Sequence, residues 1–313
     1  MPDRRWLAGR SALLLRSADR SAPTVAELAA RGATTLLCPL IDFELPEDTT
    51  GIDDGIRRLA DGGFDWLLLT SRTTVLALQQ RSAALGVVGA GSAGREPSGI
   101  PATGSGIPVP EPTRIAVVGE ATARAATAAG LPVEFAPETD HSARGMLAEW
   151  PAISRPGPGS TVFMPQADIA SSTLADGMRH WGADAFVVTA YRTVDAPAEP
   201  SRRLRAPEAE PAPAPLVEPA VLTRNGGVPE SVDAVFFTSP SIVRRYLALV
   251  GTPPDTVAAI AIGDSTAEEL RRNGWEPAAI ASTPTPAGLA DAWEFAVHDP
   301  SPPGEPATTD HPD

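Results

Sequence analysis

Lysine is absent from this chain of 313 residues, and all 25 of its basic side chains are arginine. Schiff-base chemistry on a side-chain amine, the pyridoxal phosphate kind included, is thereby excluded. The same absence removes the phosphate-loop lysine, and no dinucleotide-binding glycine pattern follows a candidate strand. Cysteine is represented by Cys38 alone, so the chain forms no internal disulfide and no thiolate cluster for zinc or iron–sulfur. Among the four histidines, His141 and His180 show neither H-x-x-x-H spacing nor a nearby nucleophile elbow. No metal site, no hydrolytic triad and no cofactor is expected. The longest apolar run near the amino terminus is Ala12–Leu15, too short for an export signal or a spanning helix. The expected location is cytoplasmic, with no membrane partner. A net charge of −14 argues against nucleic acid, whose phosphates call for a basic face.

What is present is apolar side chain, 42% of the residues, enough to bury two cores of ordinary size. Stretches rich in Gly, Pro, Ser or acidic residues interrupt it at 86–113, 154–160, 197–231 and 299–313. They read as loops or as flexible, disordered segments, because they carry too little apolar surface to offset ordering entropy.

Between them the chain repeats itself. Phe64–Val75, containing D-W-L-L-L-T-S, has a counterpart in Val232–Val243, containing D-A-V-F-F-T-S-P-S. Ile115–Ala123, containing V-G-E-A-T-A, matches Ile260–Ala267, containing A-I-G-D-S-T-A. Each reads as a short apolar strand, a turn and a helix. The second pair of helices closes at Gly130 and Gly274, where glycine suits a left-handed cap. The repeat ends at Ser142–Trp150 and Thr285–Trp293, and a fainter pair aligns Ser11–Ala33 with Ser160–Ala183, for an offset of about 150 residues. Strands alternating with helices predict two similar three-layer α/β domains with parallel sheets, with a ligand cleft between them at the C-terminal strand ends. Helix N-termini there suit carboxylates without any cationic side chain, and Arg16, Arg72, Arg192 and Arg244 are candidates to add positive charge.

These motifs, together with A-Y-R-T-V at Ala190–Val194, resemble the uroporphyrinogen-III synthase family. The resemblance covers most of residues 10–295. It implies a chain that starts in one domain, crosses to build the second and returns. Domain 1 is then expected from 8–38 plus 195–297, domain 2 from 44–188, and the two-stranded linker that joins them from 39–43 and 189–194. It also implies an activity: cyclising hydroxymethylbilane, a linear tetrapyrrole with eight carboxylates, by loss of water through an azafulvene cation and a spiro intermediate, so that the last ring ends inverted. A monomer is implied, as is hand-over of the bilane from hydroxymethylbilane synthase. Tyr191 matches the tyrosine that the family places as an acid, and Arg16 matches its arginine after the first strand, whereas Pro165 stands at the companion position of the second copy.

The expected substrate-binding set is Arg16, Thr70, Ser71, Gly119, Thr122, Thr238, Ser239, Ser241, Gly263, Ser265 and Thr266. Thr122 and Thr266 lie just inside helix starts, where capping and ligand contact are compatible. The repeated Thr-Ser pairs equally end strands and cap helices. Asp168 reads as a solvated loop residue and His141 as a surface one. The competing function is a non-catalytic module of the same fold that binds a tetrapyrrole or another polyacid. A periplasmic-type solute-binding protein shares the duplicated plan but wants an export signal.

Overall fold

The computed structural model describes residues 6–87, 106–205, 213–224, 226–251 and 257–298. The chain runs β1 (Ser11–Leu14), α1 (Ala18–Ala30), β2 (Thr34–Leu37), β3 (Ile41–Glu44), α2 (Thr50–Ala60), β4 (Trp66–Leu69) and α3 (Arg72–Leu85). It continues with β5 (Arg114–Val117), α4 (Glu120–Ala128), β6 (Val133–Phe135), α5 (Ala143–Glu149), β7 (Thr161–Ala167), α6 (Thr173–His180) and β8 (Asp184–Asp195). Last come α7 (Pro219–Arg224), β9 (Ala234–Phe237), α8 (Pro240–Val250), β10 (Ala258–Ala261), α9 (Asp264–Arg272), β11 (Ala279–Ile280) and α10 (Pro286–His298).

These elements form two compact units. One takes residues up to 42, 195–197 and the chain beyond 205; the other takes 43–194 and 198–205. The first holds a five-stranded sheet in the order β11-β10-β9-β1-β2, parallel throughout. The second holds β6-β5-β4-β7-β8, also parallel, with β3 added at the edge beside β8. Setting the sequence repeat against the sheets, β9, β10 and β11 correspond to β4, β5 and β6, and β1 and β2 to β7 and β8. The strand orders are therefore the same, which is the doubly wound arrangement with its reversal at β1/β9 in one unit and at β7/β4 in the other.

Short strands buried on both faces need helices on both faces. In the first unit Leu13, Val235, Phe237 and Ala259 pack with α7, α8 and α9, while the alternate residues Ala12, Leu14, Phe236 and Ile260 pack with α1 and α10. In the second, Leu67, Leu69, Ile115 and Phe163 face α2, α3 and α4, and Trp66, Leu68, Ala116 and Val162 face α5 and α6. The first aspartate of each repeat serves as a register pin. Asp65 Oδ2 accepts the Thr161 N–H at 2.7 Å, and Asp233 Oδ2 accepts the Ser11 N–H at 2.8 Å, so each strand start is tied to the start of its neighbour.

The stretch 197–231 differs from its reading as a flexible segment wherever it is described. Residues 198–205 return alongside β3, where the Leu45 N–H donates to Arg202 O at 2.8 Å and the Leu204 N–H to Phe43 O at 2.9 Å. Leu204 enters the second unit's core, and Arg202 reaches the buried Glu44 carboxylate at 3.1 Å. Further on, α7 puts Leu222 into the first unit's core. A few anchoring side chains thus order a segment whose average composition is that of a loop. At 106–113, Ile107 is likewise buried, and Thr113 Oγ1 donates to Phe64 O at 2.8 Å. The remainder of the expected flexible segments, 88–105, 206–212, 225 and 299–313, lies outside the described residues.

Cys38 is fully buried at the end of β2, and burial, with the Glu218 carboxylate nearby, pushes its thiol up to about 12. Both effects remove the reactive thiolate. A thiol reagent at neutral pH is therefore expected to label Cys38 only as fast as the first unit unfolds. Complete labelling of the native protein within minutes would contradict this placement.

Candidate active site

In doubly wound sheets ligands gather where the strand order reverses, at the C-terminal strand ends. In the second unit this place is flanked by Thr70 and Ser71 after β4, Asp168 after β7 and Tyr191 on β8. In the first it is flanked by Arg16 after β1 and by Thr238, Ser239 and Ser241 after β9. One strand further out lie Gly119 and Gly263. The Val118 N–H donates to Leu69 O at 3.1 Å, and the Ile262 N–H to Phe237 O at 3.0 Å, which sets each glycine turn beside the neighbouring Thr-Ser pair.

The helices that start at these strand ends are of two kinds. Ser71 caps α3 by accepting the Thr74 N–H at 3.1 Å, and Ser239 caps α8 by accepting the Ile242 N–H at 3.4 Å. By contrast, α4 and α9 begin at Gly119 and Gly263, and no side chain caps either. Thr122 and Thr266 are not caps. They sit three residues past the glycines with 5% and 1% of their surface exposed, as parts of the helix packing. Both glycines have extended backbones, φ −166° and 173°, that any residue adopts. A Cβ added at Gly263 would meet nothing within 4 Å, and one at Gly119 would make ordinary contact with His141, its Cβ at 3.5 Å and its carbonyl oxygen at 3.9 Å. The fold itself does not require these glycines; what they leave is open space at an uncapped helix start. Glu120 and Asp264 bring one negative charge to each first turn, and that of Glu120 is paired with Arg124. Ser265, also in that first turn, is exposed.

Tyr191 is 7% exposed, with its ring edge-on to Phe43 at 5.6 Å and its hydroxyl 3.1 Å from Ser71 Oγ. Ser239 instead lies 2.9 Å from Ser241 Oγ. Arg244 does not supply an open positive charge, since its guanidinium is 3.0 Å from the Glu269 carboxylate, which Arg272 also contacts at 2.6 Å. Asp168 is exposed, yet it is no idle loop residue. Its N–H donates to Tyr191 O at 3.0 Å and its Oδ1 accepts the Thr193 N–H at 3.0 Å. Its place after the first strand of the second copy was the available clue.

A second residue missed from sequence is Glu149, at the end of α5. Its carboxylate accepts the N–H groups of Asp140 at 2.8 Å, Thr139 at 3.1 Å and Glu138 at 2.6 Å, and so holds the loop that lays His141 against Gly119. These bonds, that of Asp140 first, hold the Glu149 carboxyl below its ordinary 4.5. A lowered folded value means the clamp is complete above 4.5 and is lost as pH falls through the depressed value. Glu149→Gln is expected to speed amide exchange at residues 138–140 with little change in global stability; unchanged exchange there would show that the carboxylate is not the clamp.

Among the described residues, no group of three or more His, Cys, Asp or Glu is placed to hold a metal ion, and no helix is long and apolar enough to cross a membrane. The family model of uroporphyrinogen-III synthase HemD matches residues 22–291. The chain is 28% identical over 188 residues to the uroporphyrinogen-III synthase of Synechococcus elongatus, a match covering 60% of this chain and 62% of that protein. It is 27% identical over 266 residues, 83% of this chain and 88% of the other, to a Methanothermobacter thermautotrophicus protein provisionally given the same name. Among solved structures, a mutant uroporphyrinogen III synthase of Thermus thermophilus shares the fold with TM-score 0.57 at 20% identity, over 93% of this chain and 99% of that one. The uroporphyrinogen-III synthetase of Helicobacter pylori shares it with TM-score 0.50 at 16% identity, over 92% and 99%.

Proposed function

The chain belongs to the uroporphyrinogen-III synthase family, and on that footing we propose that it cyclises hydroxymethylbilane to uroporphyrinogen III. The observation that carries the reading is the recurrence, in both units, of an uncapped glycine-started helix at a parallel strand end. Such a helix start offers backbone N–H groups and the positive end of a dipole to a carboxylate, and the bilane has eight carboxylates to place. This accounts for a polyanionic substrate on a chain of net charge −14 that has no lysine.

The bilane closes unaided to the isomer with no inverted ring, so the protein's work is chiefly conformational: to hold the chain with the substituted carbon of the last ring poised for attack. Gly119, Gly263 and Ser265, with Thr70, Thr238 and Arg16, are assigned to the carboxylates, and Thr122 and Thr266 to shaping the helix starts beneath them. Tyr191 is assigned as the acid that assists departure of the hydroxyl. No cofactor is required by this scheme. The working form is proposed to be a cytoplasmic monomer that takes its bilane from hydroxymethylbilane synthase.

Gly263→Asn separates this role from structure. Asparagine is among the best N-caps, so the thermal midpoint is expected to hold or rise. Its side chain would fill the space assigned to a carboxylate, and KM is expected to rise about tenfold. A midpoint that rises with KM unchanged would remove Gly263 from the site. The activity itself is tested by mixing chelator-treated protein with freshly made hydroxymethylbilane. Loss of the linear bilane is expected to be faster than in buffer and proportional to protein, and a rate equal to that in buffer would refute the proposal.

A further inference from the structure

Tyr191 owes its position to an irregularity in the sheet. Between β7 and β8 the pairing runs Gln166 with Thr189, then Ala167 with Tyr191, so Ala190 has no partner across the ladder. The extra residue breaks strand alternation, and Ala190 and Tyr191 are both buried in succession. Such bulges re-aim side chains. Past the bulge, the Asp168 N–H holds the Tyr191 carbonyl and the Asp168 carboxylate holds the Thr193 N–H, while Phe43 packs on the ring. The charged side chains on the surrounding elements are Arg72 and Arg81 on α3, Asp42 and Glu44 on β3, Asp184, Arg192 and Asp195 on β8, and Asp168 after β7. Of these, Glu44 is engaged by Arg202 at 3.1 Å and lies 4.0 Å from Arg192.

The tyrosine hydroxyl meets Ser71. Ser71 Oγ lies 3.1 Å from it and 3.0 Å from Thr74 Oγ1, and it accepts the Thr74 N–H at 3.1 Å. A serine hydroxyl has one proton and two lone pairs. With one lone pair on the Thr74 N–H, only two arrangements satisfy the other contacts: Tyr191 donates to Ser71, which donates to Thr74 Oγ1, or Thr74 Oγ1 donates to Ser71, which donates to Tyr191. Only the second leaves the tyrosine proton for another acceptor. In either one the capacity of Ser71 is used up, and nothing is left for a substrate carboxylate. The counterpart Ser239 meets Ser241 instead.

We infer that Ser71 is a positioning residue: its hydroxyl orients the Tyr191 hydroxyl outward and stabilises the phenolate left when the proton is given up. The inference rests on the reading of Tyr191 as the acid, and it withdraws Ser71 from the set that touches substrate. In the step it supports, the bilane C–O bond breaks with its electron pair on oxygen, which takes the Tyr191 proton and leaves as water. The phenolate then accepts from Ser71 at the positive end of α3, until the proton lost from the ring carbon at closure restores the phenol.

The test uses the scarcity of tyrosine. Besides Tyr191 there is only Tyr246, fully buried and donating to Gly227 O at 2.7 Å, whose phenol burial pushes far up. The tyrosinate absorbance that is lost in Tyr191→Phe therefore reports Tyr191. In Ser71→Ala this transition is expected to move up by about one pH unit, with kcat down about tenfold and KM little changed. Ser71→Thr keeps the hydroxyl and the cap and should restore both. Ser142→Ala, which removes the matching cap of α5, should move neither. A Ser71→Ala transition at the wild-type midpoint, or a change confined to KM, would overturn the inference. If the transition shifts but the wild type shows no turnover, the proposed activity fails while the Ser71–Tyr191 coupling stands.

Discussion

Gly288→Ala is expected to destabilise the first unit by about 2–3 kcal/mol, and Gly145→Ala to do the same to the second. From helix propensity alone the opposite sign follows, since glycine in a helix is worse than alanine by about 1 kcal/mol. Structure reverses it. Gly145 follows the Ser142 cap, whose Oγ accepts its N–H at 3.2 Å, and Gly288 follows Thr285, whose Oγ1 accepts its N–H at 3.0 Å. In each case the chain before the helix folds tightly over its first turn: the Ser142 N–H donates to Asp140 O at 2.7 Å, and the Thr285 N–H to Thr283 O at 2.8 Å. A Cβ at Gly145 would overlap the carbonyl oxygen of Asp140, and one at Gly288 that of Thr283. Backbone, unlike the tip of a flexible side chain, cannot step aside cheaply. Thermal unfolding of both variants measures the effect. A midpoint equal to or above that of the wild type would mean that the overlying turn moves freely.

Tyr191→Phe is expected to lower kcat by about 100-fold while leaving KM and folding nearly unchanged. Phenylalanine keeps the ring that packs against Phe43 and removes the hydroxyl that meets Ser71. General acid catalysis contributes roughly 100-fold to 10,000-fold, and a phenol, being a weak acid, belongs at the lower end of that range. Residual turnover is expected because the placement of the bilane survives. Steady-state kinetics on fresh substrate decide the matter, and a kcat within twofold of wild type would remove Tyr191 from the chemistry.

Much of the architecture is legible in the sequence because it is written twice. The pairs Asp65–Ser71 with Asp233–Ser239, and Gly119–Thr122 with Gly263–Thr266, announce strand, turn and helix by local pattern, and the same strand order appears in both sheets. What is not legible depends on contacts between distant residues. The bulge at Ala190 arises in pairing with β7, and Ser71 meets Tyr191 across 120 positions of chain. No local periodicity encodes either. Residues 198–205 read as loop from their average, although Arg202 and Leu204 anchor them to β3 and the core. The Thr122 and Thr266 positions mislead in another way: threonine near a helix start suggests a cap, and here the cap positions fall three residues earlier on glycines that leave the helix starts uncapped.

The most direct measurement is the isomer composition of the product. Freshly made hydroxymethylbilane is incubated with wild-type protein, with Tyr191→Phe and with buffer, and the oxidised porphyrins are separated by isomer. The account predicts predominantly the III isomer with the wild type, a larger share of the spontaneous I isomer with the variant, and the I isomer alone in buffer. If the wild type yields only the I isomer while still binding the tetrapyrrole, the chain is a binding module and the catalytic assignment falls.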